Sequence, residues 1–296
     1  MKRPQYFEQP AFIPIFTDYN YFSGKCIGIT GQRGVLGGIL SERLAAHNIR
    51  VETYPSDITD AANLREWFKK HHFDYFFHFA AIVPVTRVAA DELKAHQVNV
   101  GGTLNICSQI IETQPRCWLF LASSSHIYKG SQGTKGTALK VGAPEEPGSF
   151  YGITKLAAER IATPILDQGK IDYCIGRIFS FSSKKQKEPF LVPTLCRKIE
   201  ELAAGDTLEI INPDSVRDIL DAETTIDCVL HLAQKRFKGI LNIGSGEGMS
   251  IQGIACHVMK LLKKEVQVRG VNKSHPDSFV ADVSALKQAL SGGERL

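Results

Sequence analysis

Short runs of uninterrupted apolar residues alternate, over the first 180 positions, with segments in which apolar residues recur every three or four places. The first kind predicts buried strands and the second predicts helices packed on them. Lys25 to Thr30 predicts a strand, the glycine-rich stretch from Gly31 a turn, and Val35 to about Ala46 a helix. A second strand is expected around Arg50 to Tyr54, after which Asp57-Ile58-Thr59-Asp60 offers caps for a helix through Trp67 to His71. Strands follow at 74–80, 117–123 and 171–177, with helices at about 97–113 and 151–166. Alternating strands and helices, with strands apolar throughout, imply an α/β fold: a doubly wound parallel sheet covered on both faces. Past Ser180 the rhythm loosens into a helix near 191–203, a strand at 207–211, a helix near 222–235 and a strand at Ile240 to Ile243. This part is expected to form a smaller lobe over the sheet's C-terminal edge, where such folds bind ligands. The chain thus divides into an extension (1–24), an α/β domain (25–179) and a lobe (180–296) interleaved with it. No fixed-period repeat is present, and Lys129 to Gly148 reads as a loop rich in Gly, Ser and Pro.

Composition narrows the class. With 296 residues, 43% of them hydrophobic, the chain can bury a core without disulfides or metal. Thirty-five basic residues against 31 acidic leave a net charge of +4. The basic residues are scattered rather than striped, which gives nucleic-acid binding little support. No apolar run approaches the ~20 residues of a bilayer span. The first 24 residues carry Lys2, Arg3, Glu8 and Asp18 among aromatics, so no signal peptide or membrane anchor is expected. The aromatic-rich part, Tyr6 to Phe22, reads as a packed arm over the lobe or over a neighbouring subunit. Seven cysteines lie mostly in apolar runs without Cys-x-x-Cys or Cys/His ligand spacing. Free thiols in a reducing cytoplasm, and no metal site, are expected.

The turn Gly31-Gln32-Arg33-Gly34-Val35-Leu36-Gly37 follows a strand and opens a helix. Gly31 can make the tight turn, Gly34 lets a pyrophosphate approach the helix start, and Gly37 permits close packing. The pattern is G-x-x-G-x-x-G, and its place at the first strand-to-helix junction predicts a dinucleotide site. An NAD site would usually place Asp or Glu at the end of the second strand for the ribose 2′-OH. That position here is Tyr54 or Pro55, and Glu52 lies within the strand. Arg33 could instead make a charge-assisted contact with a 2′-phosphate, or it could be a solvated surface cation. NADP(H) is therefore the preferred cofactor, with NAD(H) left open.

Tyr151 and Lys155 stand at i and i+4, on one face of a predicted helix. A nearby ammonium would lower the phenol's pKa from ~10 towards the range useful for acid–base chemistry. Ser123-Ser124-Ser125 ends the preceding strand at the same sheet edge, so a hydroxyl there could hydrogen-bond a substrate oxygen.

With these residues in this order, the chain resembles the extended short-chain dehydrogenase/reductase family, the nucleotide-sugar epimerases, dehydratases and reductases, from Lys25 to about Ser291. Other matching stretches are Asp57-Ile58, His78-Phe79-Ala80-Ala81, Asn99 with Gly101-Gly102-Thr103, Ser123 to Tyr128, Arg177 to Ser180, Val216-Arg217-Asp218 and Asn242 to Gly246. The resemblance implies a Rossmann-type NAD(P)-binding domain. It implies Ser124, four residues before Tyr128, as the catalytic hydroxyl, Tyr151 as proton donor or acceptor, and Lys155 as holder of the nicotinamide ribose. Asp57 and Ile58 would touch adenine, Phe79, Ala80 and Ala81 would lie along the cofactor, and Asn99 and Ile178 would complete its site. Ser124, Ser125, His126, Phe179, Ser180 and Arg217 would face the substrate, with Arg217 on its diphosphate. The implied partner is a nucleotide-diphosphate sugar, and a homodimer would form through two-helix packing.

Dehydratases of this family have an Asp-Glu pair just after the catalytic hydroxyl, and sugar acid decarboxylases a Glu there; Ser125 and His126 stand in those places, which argues against both. The glycine turn is similar to that of NADPH-using GDP-fucose synthases, yet their epimerising cysteine is replaced by His126. Their epimerising histidine, three positions before a Pro, is replaced by Phe190 before Pro193. His126 is either a proton carrier near the sugar or a polar residue shaping the pocket. A later family arginine is replaced by His275, which throws nucleotide binding onto Arg217 and possible helpers Arg197 and Lys198. The expected activity is reduction of an NDP-4-keto-6-deoxy-hexose to the NDP-6-deoxy-hexose. The alternatives are an NDP-sugar 4-epimerase with tightly bound NAD and a non-catalytic NADP(H)-binding regulatory subunit.

Overall fold

Six strands form the central layer: β1 (Cys26–Thr30), β2 (Arg50–Thr53), β3 (Tyr75–His78), β4 (Trp118–Ser124), β5 (Asp172–Ile178) and β6 (Gly239–Ile243). The structure, a computed structural model, describes residues 17–132, 137–203 and 205–291. The strands lie in the order β6-β5-β4-β3-β1-β2 and every pairing is parallel. All residues of β1 and β3 are buried, which a sheet achieves only when both faces are covered. On one face α1 (Val35–Ala46) and α5 (Ala222–Gln234) pack through Ile39, Leu40, Ile226 and Val229. On the other, α2 (Ala61–Lys70), α3 (Thr103–Thr113) and α4 (Phe150–Gln168) pack through Leu64, Phe68, Ile106, Ile110 and Leu166. This is the doubly wound Rossmann-type arrangement. The strand order reverses between β1 and β3, whose C-terminal ends open a crevice.

The pattern-based elements occur, with differences that have physical causes. Asp60 caps α2 by accepting from the Asn63 N–H at 3.0 Å. The segment expected as one helix at 97–113 is a π-helical turn, Gln97–Gly102, running into α3. Two short helices, Val85–Ala90 and Glu92–His96, precede it without a sequence signal long enough to show them. The strand at Ile240 to Ile243, read with the lobe, is instead β6, an edge strand of the main sheet paired with β5. The lobe is built on Val216–Asp221, which pairs with Ser180–Ser182, Gly248–Ser250 and Asp277–Phe279. Asp277–Phe279 also takes Ser131–Gln132, so the loop after β4 is tied into the lobe. A separate parallel pair, Thr207–Ile211 with Gln267–Val271, lies with the helices Leu191–Glu201 and Ile251–Leu262 over a third apolar core.

The described part of the extension makes a turn at Tyr19–Phe22, burying Phe22 completely and joining the Tyr21 hydroxyl to that of Tyr75 at 2.8 Å. Tyr75 begins β3, so this part of the arm covers the sheet edge opposite the ligand crevice rather than the lobe; Tyr6 to Phe16 fall outside the described residues. All seven cysteines are free thiols. Among the described residues, no helix is long and apolar enough to cross a membrane, and no His/Cys/Asp/Glu group could hold a metal.

Candidate active site

The crevice is floored by the glycine turn. Gly31 has φ +81°, and a Cβ there would stand 2.6 Å from the Ala80 nitrogen, so only glycine lets β1 turn against the end of β3. Gly34 brings no side-chain cap to α1, leaving the helix's first N–H groups and its positive dipole end open to a phosphate. The Gln32 amide donates to the Tyr54 carbonyl at 3.0 Å, and the Arg33 guanidinium donates to the Pro55 carbonyl at 3.2 Å. Arg33 is thereby held at the end of β2. Glu52 lies inside β2 opposite Gly28, short of the strand's end, with the Arg50 Nε 3.1 Å from its carboxylate. Asp57 accepts from Thr59 and from Lys94 at 3.0 Å, contacts that hold its carboxyl down at about 2, and Ile58 is buried beside Gly102.

β3 continues into Phe79, Ala80 and Ala81 along the crevice, with the Phe79 N–H bonded to the Thr30 carbonyl at 3.1 Å. His78 cannot face a cofactor. Its ring is buried between Thr30 (2.7 Å) and Thr103 (3.1 Å), and burial followed by the Lys155 charge pushes its pKa down to about 3. Asn99 departs from the expected contact role: it is fully buried, and its amide is consumed by Ile82 and Thr154. It fastens the segment after β3 to α4 instead.

Ser124 and Tyr151 come together where β4 ends against α4, and Lys155 follows one turn on along the same helix. Ser149 caps α4, and Gly152 permits the close approach, since a Cβ there would lie 2.1 Å from the His126 carbonyl oxygen. The Ser124 hydroxyl accepts from the His126 N–H at 3.2 Å and is hydrogen-bonded to Tyr151. The expected lowering of the Tyr151 pKa by Lys155 is overturned. Burial pushes the phenol up to about 12, with the Ser124 bond pulling the other way, because desolvation disfavours phenolate. Lys155 is 6% exposed, and burial pushes its ammonium down to about 8 against the opposing charge of Glu159.

On the lobe side, the His126 ring meets Tyr151 edge-on at 5.5 Å and stacks on Phe279 at 6.0 Å. The Arg217 guanidinium lies 5.3 Å over the same Phe279 ring and bonds Asp277 at 2.8 Å. Burial and then the Arg217 charge push the His126 pKa down, favouring neutral imidazole. Asp218, fully buried, accepts from Ser245, Gly246 and Ala281 and so fixes the strand that presents Arg217. Ser125 is buried beside Ser124, and Ile178 and Ser180 line the β5 exit. Phe179 is buried, its ring packed near Tyr128 behind the wall. Arg197 is already held by Glu188 and Glu201. Phe279 and Asp277 are the residues that sequence reading missed. Asp277 ends the Ser274-His275-Pro276-Asp277 stretch, but no local pattern marks either residue as part of the site.

The family profile described as "NAD dependent epimerase/dehydratase family" matches residues 27–244. UDP-glucose 4-epimerase of Mycoplasma genitalium is 26% identical over 262 residues, covering 82% of this chain and 77% of the relative. GDP-6-deoxy-D-mannose reductase of Pseudomonas aeruginosa is 24% identical over 250 residues, 81% of each chain. Among solved structures, RMD from Pseudomonas aeruginosa complexed with NADPH superposes with TM-score 0.79 at 20% identity, covering 92% of this chain and 94% of that one. UDP-glucose 4-epimerase of Thermus thermophilus complexed with NAD gives 0.77 at 20% identity, over 88% and 92%. On its glycine turn, its Ser-Tyr-Lys cluster and the profile spanning most of its length, the chain belongs to the NAD dependent epimerase/dehydratase family.

Proposed function

We propose that the protein is an NADPH-dependent reductase converting an NDP-4-keto-6-deoxy-hexose into the NDP-6-deoxy-hexose. The observation that carries the reading is the Ser124–Tyr151 hydrogen bond where β4 meets α4, with buried Lys155 one turn further along α4 and with Ser125 and His126 where a dehydratase would need its own acid and base. A nicotinamide held there would supply the hydride taken up at the sugar's C4. Tyr151, kept as phenol by burial, is the proton donor to the developing C4 alkoxide, and Ser124 donates a hydrogen bond to the same oxygen. The Lys155 ammonium holds the ribose hydroxyls, and the helix start after Gly34 receives the pyrophosphate. The open α1 start and the buried cationic Lys155 fit such a cofactor. Arg33 at the end of β2, with Glu52 short of that end, favours the 2′-phosphate of NADP(H). Arg217, on the Phe279 ring and beside Asp277, would take the substrate's diphosphate.

Mixing the protein with NADPH and NDP-4-keto-6-deoxy-hexoses should consume absorbance at 340 nm. Tyr151→Phe should lower that rate by roughly 10²–10⁴-fold, while cofactor still binds. The 26% identity to a UDP-glucose 4-epimerase supports a second reading, 4-epimerisation through a transient ketone. That reading would gain if absorbance stayed constant while an NDP-hexose exchanged with its C4 epimer. We also infer a homodimer formed through α3 and α4, and a cytoplasmic location suited to seven free thiols.

A further inference from the structure

Beneath the Ser-Tyr-Lys cluster lies a second group of charges that the proposed mechanism leaves unused. Glu159, one helical turn beyond Lys155 on α4, is 5% exposed. Its carboxylate accepts from the Ser123 hydroxyl and from Arg177, whose Nε lies 3.2 Å from both oxygens and whose second nitrogen lies at 2.7 Å. Ser123 and Arg177 are register partners across β4 and β5, so the sheet presents both to one carboxylate. Lys155 and Glu159 line the same small internal cavity, about 10 Å³, together with His78, Thr103 and Ser123.

Counting charge explains why Glu159 matters to Lys155. Arg177 has a second acid, Glu145 at 2.5 Å, and further acceptors in the Tyr128 hydroxyl (3.0 Å) and the Val141 carbonyl (2.9 Å). Lys155 has no such alternative among the groups facing it. Of the residues lining that cavity, His78 from β3 is held neutral, Ser123 from β4 and Thr103 from α3 are uncharged, Leu121, Ala122, Ala158 and Ile175 are apolar, and Glu159 is the one acid. A buried ammonium without an opposite charge loses its proton, because the desolvation penalty falls on the charged form alone.

We propose that Glu159 is a positioning residue for catalysis: fixed by Ser123 and Arg177, it is the counter-charge that keeps the buried Lys155 an ammonium able to hold the cofactor's ribose. The inference rests on the functional reading of Lys155 given above. Removing Glu159 leaves Arg177 paired with Glu145 and leaves Lys155 alone, so the effect appears as a change in the pH range over which Lys155 works.

The test is NADPH binding, followed by fluorescence between pH 6 and 9.5 for the wild type, Glu159→Gln, Glu159→Asp and Ser123→Ala. Wild-type affinity should weaken as pH rises through about 8, where Lys155 loses its proton. In Glu159→Gln that break should move down by about one pH unit or more. Glu159→Asp, which keeps the charge but draws it back, should break between the two. Ser123→Ala, which removes a hydrogen bond and no charge, should break where the wild type does. A break at the wild-type pH in both Glu159 variants overturns the proposal, and if Glu159→Gln does not fold, an unmoved break in Glu159→Asp does so alone. Binding reads Lys155 whichever sugar is reduced, so a wrong substrate assignment leaves the result valid. Absence of nicotinamide binding at every pH would overturn this inference and the functional reading together.

Discussion

The three side chains at the centre of the site are controlled by different forces. Tyr151 is governed by burial, which keeps it a phenol and suits it to give a proton to an alkoxide. Lys155 is a compromise between burial and the Glu159 charge. Ser124 is oriented by accepting from the His126 N–H, leaving its own proton for other partners. Tyr151 and Lys155 were legible from spacing, because i and i+4 share a helix face, and the serine run marked the strand end, but the choice of Ser124 within it came from the family resemblance. The protonation of Tyr151 was not legible, since it depends on what the tertiary fold removes from water. Phe279 and Glu159 were hidden for a related reason: their partners lie far away in sequence, Phe279 from His126 and Glu159 from Arg177 and Ser123. Arg33 donates to the Pro55 carbonyl at the end of β2, a placement that both of its sequence readings allow. Arg33→Ala should raise KM for NADPH by roughly 10–100-fold, the worth of a charge-assisted hydrogen bond, and leave KM for NADH nearly unchanged. Equal effects on the two cofactors would remove Arg33 from the 2′-phosphate site.

At the scale of elements, strands and long helices announced themselves through periodicity, and errors gathered where tertiary context decides. The segment before α3 carries a helix pattern, yet it relaxes into a π-helical turn at Gln97–Gly102, where buried Asn99 must reach Ile82 and Thr154. β6 was readable as a strand but not as a member of the main sheet, because pairing partners leave no local mark. α4 serves two faces. Its inner side carries Lys155 and Glu159, whereas Ile153 and Ile161 on it are 47% and 38% exposed, and Leu104 on neighbouring α3 is 39% exposed. Apolar side chains left in water on adjacent helices fit the two-helix packing of a homodimer. Ile153→Arg should convert a dimer into a monomer by light scattering, by burying an unpaired charge in the interface. A wild type that runs as a monomer would refute the pairing.

Across the whole molecule, a six-stranded sheet supplies the cofactor crevice and a lobe threaded from several stretches supplies the opposite wall. Val216–Asp221, Asp277–Phe279 and Ser131–Gln132 meet in one small sheet, so the wall facing Tyr151 is assembled from segments up to about 150 residues apart. His126, at the turn after β4, bridges the halves by touching Tyr151 on one side and Phe279 on the other. In the proposed reading Tyr151 is the proton donor and Arg217 the diphosphate anchor on the opposite wall, an arrangement that both a reductase and an epimerase can use. The two differ in where the hydride comes from and whether it stays on the sugar. The decisive measurement is to supply NADPH deuterated at the transferable C4 position with an NDP-4-keto-6-deoxy-hexose and locate the label in the product by NMR. A reductase places one deuterium on the sugar's C4 and releases one NADP⁺ per sugar. Unlabelled sugar, with the C4 epimers of an NDP-hexose interconverting and the added NADPH unconsumed, would contradict it.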